Sequence, residues 1–245
     1  MADSLARDDL PSDPEAPGTS PRREGAGLPG PGGHEVRKAD AGETRALAQA
    51  LARAFFEDPL GTYVVPDPTR RLAIVERGFD LFLRRVWIGH EETYTVGDTA
   101  VGACIWEPPG TWKIGAAKQL SMLPAMIGAF GRTLPRLLSA LGAAERNHPE
   151  EPHYYLVFLG VEPESQGRGR GSAMMFPILS RCDAEGVPAY LEASTPRNRA
   201  LYERHGFKVT EAFQLGRGGP TFWRMWRAPG SGSAACAGTN DERRA

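Results

Sequence analysis

Three cysteines in 245 residues are too few and too scattered to build a cystine framework. Cys104, Cys182 and Cys236 are odd in number and contain no Cys-x-x-Cys pair, which speaks against a thiolate metal knuckle and fits a reducing compartment. No cluster of His, Cys, Asp or Glu has metal-ligand spacing, so no metal is expected. An excess of either charge is also missing, since 29 Lys and Arg face 30 Asp and Glu. Such a balance provides no global field to draw the chain to nucleic acid or to a membrane surface. Long apolar runs are lacking too. The longest uncharged stretch of the apolar middle, Gln119 to Gly131, falls short of the ~20 residues that span a bilayer. The opening MADSLARDDLPSDPEAP places acids where a secretory signal has a basic start and an apolar stretch. A cytoplasmic protein is the expectation.

Aromatic side chains are missing from residues 1–33, which hold six prolines and six glycines. A stretch of that kind cannot bury enough surface to offset its chain entropy, and it reads as a disordered tail. The end from Pro229 onward, PGSGSAACAGTNDERRA, has the same character. One folded domain over residues 34–228 is expected, with tails at 1–33 and 229–245. That length is enough to bury a real core.

Within the domain, Val36 to Lys38 suits a short first strand. Glu43 to Phe56 carries Leu47, Leu51 and Phe55 on one helical face. Asp58-Pro59 ends that helix, and Leu60 to Val65 reads as a connection. A second helix is expected over Arg70 to Val86. Thr93 to Val96 and Ala100 to Trp106 form a hairpin around Gly97-Asp98. Trp112 to Ala144 has helical apolar spacing interrupted by Pro124 and Pro135. No acid occurs between Glu107 and Glu145, and two readings of that region stand: helices with a basic outer face, or a cover over a pocket. Tyr154 to Val161 is an apolar run of the kind found in a strand covered on both faces. A helix ending at Gly186, a strand at Tyr190 to Ala193, a short helix at Arg197 to His205 and a final strand pair follow. Pro177 lies beyond the first turn of its helix, where it should bend the helix or cost ~3 kcal/mol.

Between the buried strand and its helix lies Gln166-Gly167-Arg168-Gly169-Arg170-Gly171-Ser172. Alternate glycines free the backbone to curl toward a bulky anion. Open N–H groups at a helix start, with the positive end of the helix dipole behind them, make a phosphate cradle. Arg168 and Arg170 can add charge-assisted contacts. Three ligands compete for this loop. A dinucleotide is disfavoured because Glu162 to Gln166 separate the glycines from their strand and further βαβ units are lacking. An arginine-glycine nucleic-acid segment belongs in a disordered tail, whereas this one is framed by a strand and a helix.

The third ligand comes from a resemblance. Gln166-x-x-Gly169-x-Gly171 followed, one strand later, by Asn198-x-x-x-Tyr202-x-x-x-Gly206-Phe207 resembles the GNAT superfamily of N-acetyltransferases. FFEDP at 55–59, GVPAYLE at 186–192 and LEASTPRN at 191–198 bring it nearest to the puromycin N-acetyltransferase group, over roughly residues 34–228. The resemblance implies an α/β (α+β) fold: a mixed, mostly antiparallel sheet flanked by helices, with a helical insertion before the cofactor-binding strand. It implies acetyl-CoA as cofactor, held by Leu159, Gly160 and Val161 along the arm, by Gln166, Gly167, Arg168, Gly169, Arg170, Gly171 and Ser172 at the pyrophosphate, and by Asn198. It also implies a small-molecule amine as acceptor; the balanced charge gives no reason to expect a nucleic-acid or membrane partner, and a monomer or homodimer is expected.

A tyrosine of ordinary pKa ~10 is protonated at neutral pH and can give a proton to a leaving thiolate. The family uses a tyrosine at the spacing of Tyr202; packing inside its helix is the plain alternative. For the base that neutralises the amine, Glu192 at its strand end comes first, with Glu107 and Glu162 as rivals. His205 reads as helix-end polarity. Tyr63, Trp87, Trp106 and Trp112 are aromatic candidates for the pocket or the core. A protein lysine or N-terminal acetyltransferase and a non-catalytic acyl-CoA-binding regulatory module are the other functional readings.

Overall fold

The computed structural model describes residues 27–231. The stretches 1–26 and 232–245, with most of both expected tails, lie outside the described residues. The described residues form eight strands: Leu28–Pro29 (β1), Glu35–Lys38 (β2), Thr93–Val96 (β3), Gly102–Glu107 (β4), Tyr154–Val161 (β5), Ala189–Ala193 (β6), Lys208–Gln214 (β7) and Thr221–Arg227 (β8). They form one sheet in the order β1-β2-β3-β4-β5-β6-β8-β7. Every neighbouring pair is antiparallel except β5 and β6. A parallel pair needs a long crossover, supplied by the helix Arg170–Glu185 (α6). The expected mixed, mostly antiparallel sheet with flanking helices is what forms.

Local signals explain the helices on the other side. Before Thr44–Ala54 (α1), Asp40 accepts from the Gly42 N–H and the Glu43 carboxylate accepts from the Asp40 N–H, a reciprocal cap. Leu47 and Leu51 are fully buried on one face of α1. The expected connection after Pro59 is instead a short helix, Pro59–Val64 (α2). Asp58 accepts from the Leu60 N–H at 2.9 Å and Pro59 sits in the first turn, so the pair that stops α1 also starts α2. Asp67-Pro68 repeats the device for Pro68–Phe82 (α3), which runs into a π-turn over Leu83–Trp87. Ala116–Phe130 (α4) and Leu134–Asn147 (α5) form the helical insertion, separated at Gly131, which has a φ of +50°. The final short helix is Pro196–Arg204 (α7).

Strand β4 is buried at every position and divides two cores. Ala103 and Ile105 face α1, α3 and the insertion. Cys104 and Trp106 face Met174, Met175 and Ile178 of α6. Opposite directions for successive side chains follow from the pleat.

Part of each expected tail joins the fold. Leu28–Pro29 pairs with β2, and the Gly30 N–H donates to the His34 carbonyl at 2.8 Å. Beyond Pro229, the Gly230 N–H donates to Asp183 Oδ1 at 2.6 Å. Backbone pairing of this kind needs no apolar side chains, so composition does not reveal it. Pro177 stays inside α6 without ending it, and nothing in the structure explains its presence.

Candidate active site

The parallel pairing of β5 with β6 is brief. Tyr154, Tyr155 and Leu156 match Ala189, Tyr190 and Leu191, and there the register ends. Strand β5 continues along β4 as far as Val161 opposite Gly102, while β6 continues along β8 as far as Ala193 opposite Trp223. Among the described residues, the edge of residues 157–161 that faces β6 has no strand partner. Gly160 is not needed there for room: a Cβ would stand 2.8 Å from Leu51 Cδ2 and 3.0 Å from Phe55, so it is the packing of α1 that requires glycine.

At the top of β5, Gln166 Nε2 donates to the Val161 carbonyl at 3.0 Å and sets the exit of the loop. Gly167 and Gly169 have φ of +76° and +77°, in the left-handed region that favours glycine. Among the described residues no side chain caps the start of α6, so its first N–H groups stay open toward the loop. Arg168 and Arg170 form no ion pair among the described residues. A Cβ added at Gly171 would meet Leu159 Cδ2 at 3.6 Å, an ordinary contact distance. Two histidines hold this turn. His34 Nε2 donates to the Arg168 carbonyl at 2.6 Å, and His205 Nε2 hydrogen-bonds with Ser172 Oγ at 2.9 Å. His205 therefore does more than finish a helix, and nothing local in the sequence connects it with residue 172. The uncapped helix start, two left-handed glycines and the unpaired strand edge leading away fit a diphosphate followed by an extended arm.

Below the loop is a cavity of about 160 Å³. Leu159, Glu192, Asn198 and Tyr202, four residues expected at the site, all line it, along with Asp58 and Ser194. Ser194 Oγ donates to Asp58 Oδ2 at 2.6 Å, and Asn198 Nδ2 donates to Ser194 Oγ at 3.1 Å. This chain ties α2 to β6 and α7, and burial raises the Asp58 pKa. Glu192 accepts from both Tyr155 (2.7 Å) and Tyr190 (2.8 Å), and burial lifts its carboxyl to about 7. Tyr190 and Glu192 share a face of β6 because they are two residues apart. The Tyr202 hydroxyl has no hydrogen-bond partner among the described residues, and burial pushes its pKa up, which keeps it protonated.

A second cavity, of about 600 Å³, lies between the insertion and strands β4 and β5. Trp87, Tyr155 and Val157 line both cavities, so the two share a wall. Trp112 stacks on His148, ring centroids 3.7 Å apart, and both line the larger space. His148 Nε2 pairs with His153 Nε2 at 3.0 Å, and burial takes the His148 pKa down to about 3, leaving it neutral. Glu107 is 4% exposed and also lines this cavity, its carboxyl lifted to about 7 by burial. Glu162 instead pairs with Arg53. Of the aromatic candidates, Trp106 is fully buried in the α6 core, and the Tyr63 hydroxyl donates to the Arg217 carbonyl at 3.2 Å, away from the cavity. Tyr155 and His148 carry no motif, whereas Asp58 and Tyr190 lie in the resembling stretches 55–59 and 186–192 without an assigned role there. For Tyr190 the two-residue spacing to Glu192 was the signal that could have been used.

Known proteins resemble this chain in sequence and in fold. The profile of the Acetyltransferase (GNAT) family matches residues 85–207. An uncharacterized N-acetyltransferase of Schizosaccharomyces pombe is 30% identical over 194 residues, covering 74% of this chain and 77% of that protein. Among solved structures, a protein from Corynebacterium glutamicum described as histone acetyltransferase HPA2 and related acetyltransferase superposes with a TM-score of 0.63. It is 25% identical, and the match covers 80% of this chain and 96% of that one. The PaiA N-acetyltransferase of Thermoplasma acidophilum, solved with coenzyme A, shares the fold at a TM-score of 0.51 and 12% identity, over 80% and 98% of the two chains. With the family match, the relative and the cradle all in agreement, the chain belongs to the GNAT family and is an N-acetyltransferase that uses acetyl-CoA.

Proposed function

We propose that this enzyme acetylates the primary amine of a small molecule, in the manner of the puromycin N-acetyltransferase group. The observation that carries the proposal is the pair of adjoining cavities, one narrow with Tyr202 and one wide and apolar, sharing Trp87, Tyr155 and Val157. A two-substrate reaction needs two such spaces meeting at one wall.

Leu159 to Val161 would hold the arm of acetyl-CoA by their free main-chain edge, the loop Gln166 to Ser172 its pyrophosphate, and Asn198 the arm from the opposite side. When bound, acetyl-CoA supplies a thioester carbonyl open to attack by a neutral amine. Tyr202 keeps its proton at Oη and is the proton source for the leaving sulfur. Glu192 takes the proton of the amine. Tyr155 stands between the two cavities and hydrogen-bonds Glu192, so its oxygen accepts the amine proton as its own passes to Glu192 Oε2. Walls from α4 and α5 line the wider space and leave little room for an extended peptide, which disfavours protein lysines and N-termini as acceptors.

The test has two stages. Acetyl-CoA at 100-fold its Kd should stabilise the protein by about 2.7 kcal/mol. A panel of small amines with puromycin included, beside lysine peptides, is then scored for free thiol release. Release with small amines supports the proposal. Release with peptides alone overturns it, and stabilisation without release on any amine marks a non-catalytic acyl-CoA-binding module.

A further inference from the structure

Glu107 is a buried carboxylate without a counter-ion. It is 4% exposed, and no basic side chain among the described residues reaches ion-pairing distance; the Trp87 indole and the more distant charge of Lys118 are all that offset its burial. A carboxylate taken out of water is costly unless paired. Glu192 differs, because tyrosine hydroxyls already occupy both of its oxygens. The cavity that Glu107 lines is otherwise mostly apolar, with Phe82, Trp87, Trp112, Met122 and Met126 among its walls. Aromatic rings offer flat faces to a ligand, and methionines adapt to irregular shapes. His148 on the same wall is neutral, and the Lys113 ammonium sits 4.9 Å from the centroid of the Trp112 ring.

We infer that Glu107 binds the ammonium of the arriving acceptor, and that the acceptor is a monoamine with an apolar, aromatic-sized body. This assignment rests on the proposed small-molecule acetyl transfer. The missing counter-charge of Glu107 is supplied by the substrate. Glu107 is the buried carboxylate of this lining; Glu145 lines the cavity too but is exposed, where solvent screens its charge, and Lys113 repels a second ammonium, so polyamines are disfavoured. Glu107 thus selects and places the amine, and the proton leaves through Tyr155 to Glu192.

The experiment uses the full chain, an arylalkyl monoamine, spermidine, and two unreactive analogues of the monoamine: its trimethylammonium form and its alcohol. Glu107→Gln should raise KM for the monoamine by at least about tenfold, with kcat held within roughly threefold. Spermidine should be used far more slowly than the monoamine. By calorimetry on the unsubstituted protein, the trimethylammonium analogue should bind and the alcohol should not. Glu107→Gln should weaken the cationic analogue by a factor similar to the rise in KM. The assignment is overturned by an unchanged KM, by a fall in kcat alone, by equal use of spermidine, or by equal binding of the alcohol. Should Glu107→Gln fail to fold, the analogue pair on the unsubstituted protein decides. Loss of acetyl-CoA stabilisation in the unsubstituted protein would instead remove the underlying reading, so the two failures are distinguishable.

Discussion

The raised pKa values of Tyr202 and Glu192 come from burial more than from charged neighbours. Burial is the largest cause of both shifts, and each favours the neutral form. Substituting Tyr202→Phe keeps the ring in its core, edge-on to Phe207 with centroids 6.0 Å apart, and removes only the proton. Turnover should fall by ~10²–10⁴-fold with acetyl-CoA affinity unchanged. A kcat equal to that of the parent enzyme would exclude the donor role. Tyr202 and Asn198 were readable because the family spacing is local, four residues within one short helix. Tyr155 was not, since it lies in an apolar run where nothing distinguishes it from its neighbours. Its significance comes from the strand pairing that sets it opposite Tyr190.

The elements with clear punctuation were legible at nearly their true bounds, as with β5, or α6 stopped by Gly186. The short helix α2 was missed because Asp-Pro was read only as a stop, though Asp58 can cap what comes next. The glycines also separate by role once the elements are placed. Gly169→Val puts a β-branched side chain at a φ of +77° and should abolish acetyl-CoA stabilisation in a thermal-shift assay. Gly160→Ala, by contrast, crowds Leu51, Phe55 and the Ala54 Cβ. It should cost ~1–3 kcal/mol in urea unfolding. Retained acetyl-CoA binding in Gly169→Val would refute the loop assignment, and a Gly160→Ala protein of parental stability would refute the packing one.

Across the whole molecule, function opposes stability at Glu107. Its carboxyl titrates near 7 in the fold against an ordinary 4.5, so the fold favours the protonated form. That contribution is fully present below about pH 4.5 and is lost as the pH rises through about 7. Glu107→Gln removes the titration. Its stability relative to the parent should improve by on the order of 2–3 kcal/mol between about pH 5 and about pH 8. Unfolding both proteins in urea at each pH checks this, and a pH-independent difference would sink it. The comparison must be between variants, because His148, lowered to about 3, adds a slope of opposite sign. The sheet and its cofactor were legible from two spaced motifs. The cavity proposed for the acceptor was not, because it is assembled from α3, the insertion and two strands that no sequence window spans.

The brief pairing of β5 with β6 has a kinetic consequence. Past Leu156, alternate amides of residues 157–161 point to a strand that has turned away, while the others remain bonded to β4. Deuterium uptake along this one strand should therefore be two-speed in the free protein: slow where β4 shields it, fast at the alternate positions. Acetyl-CoA should slow the fast set alone, and uniform slowing across β5 would mean that it does not lie along that edge. The cofactor would then stand in the sheet as a ninth strand that comes and goes with each turnover.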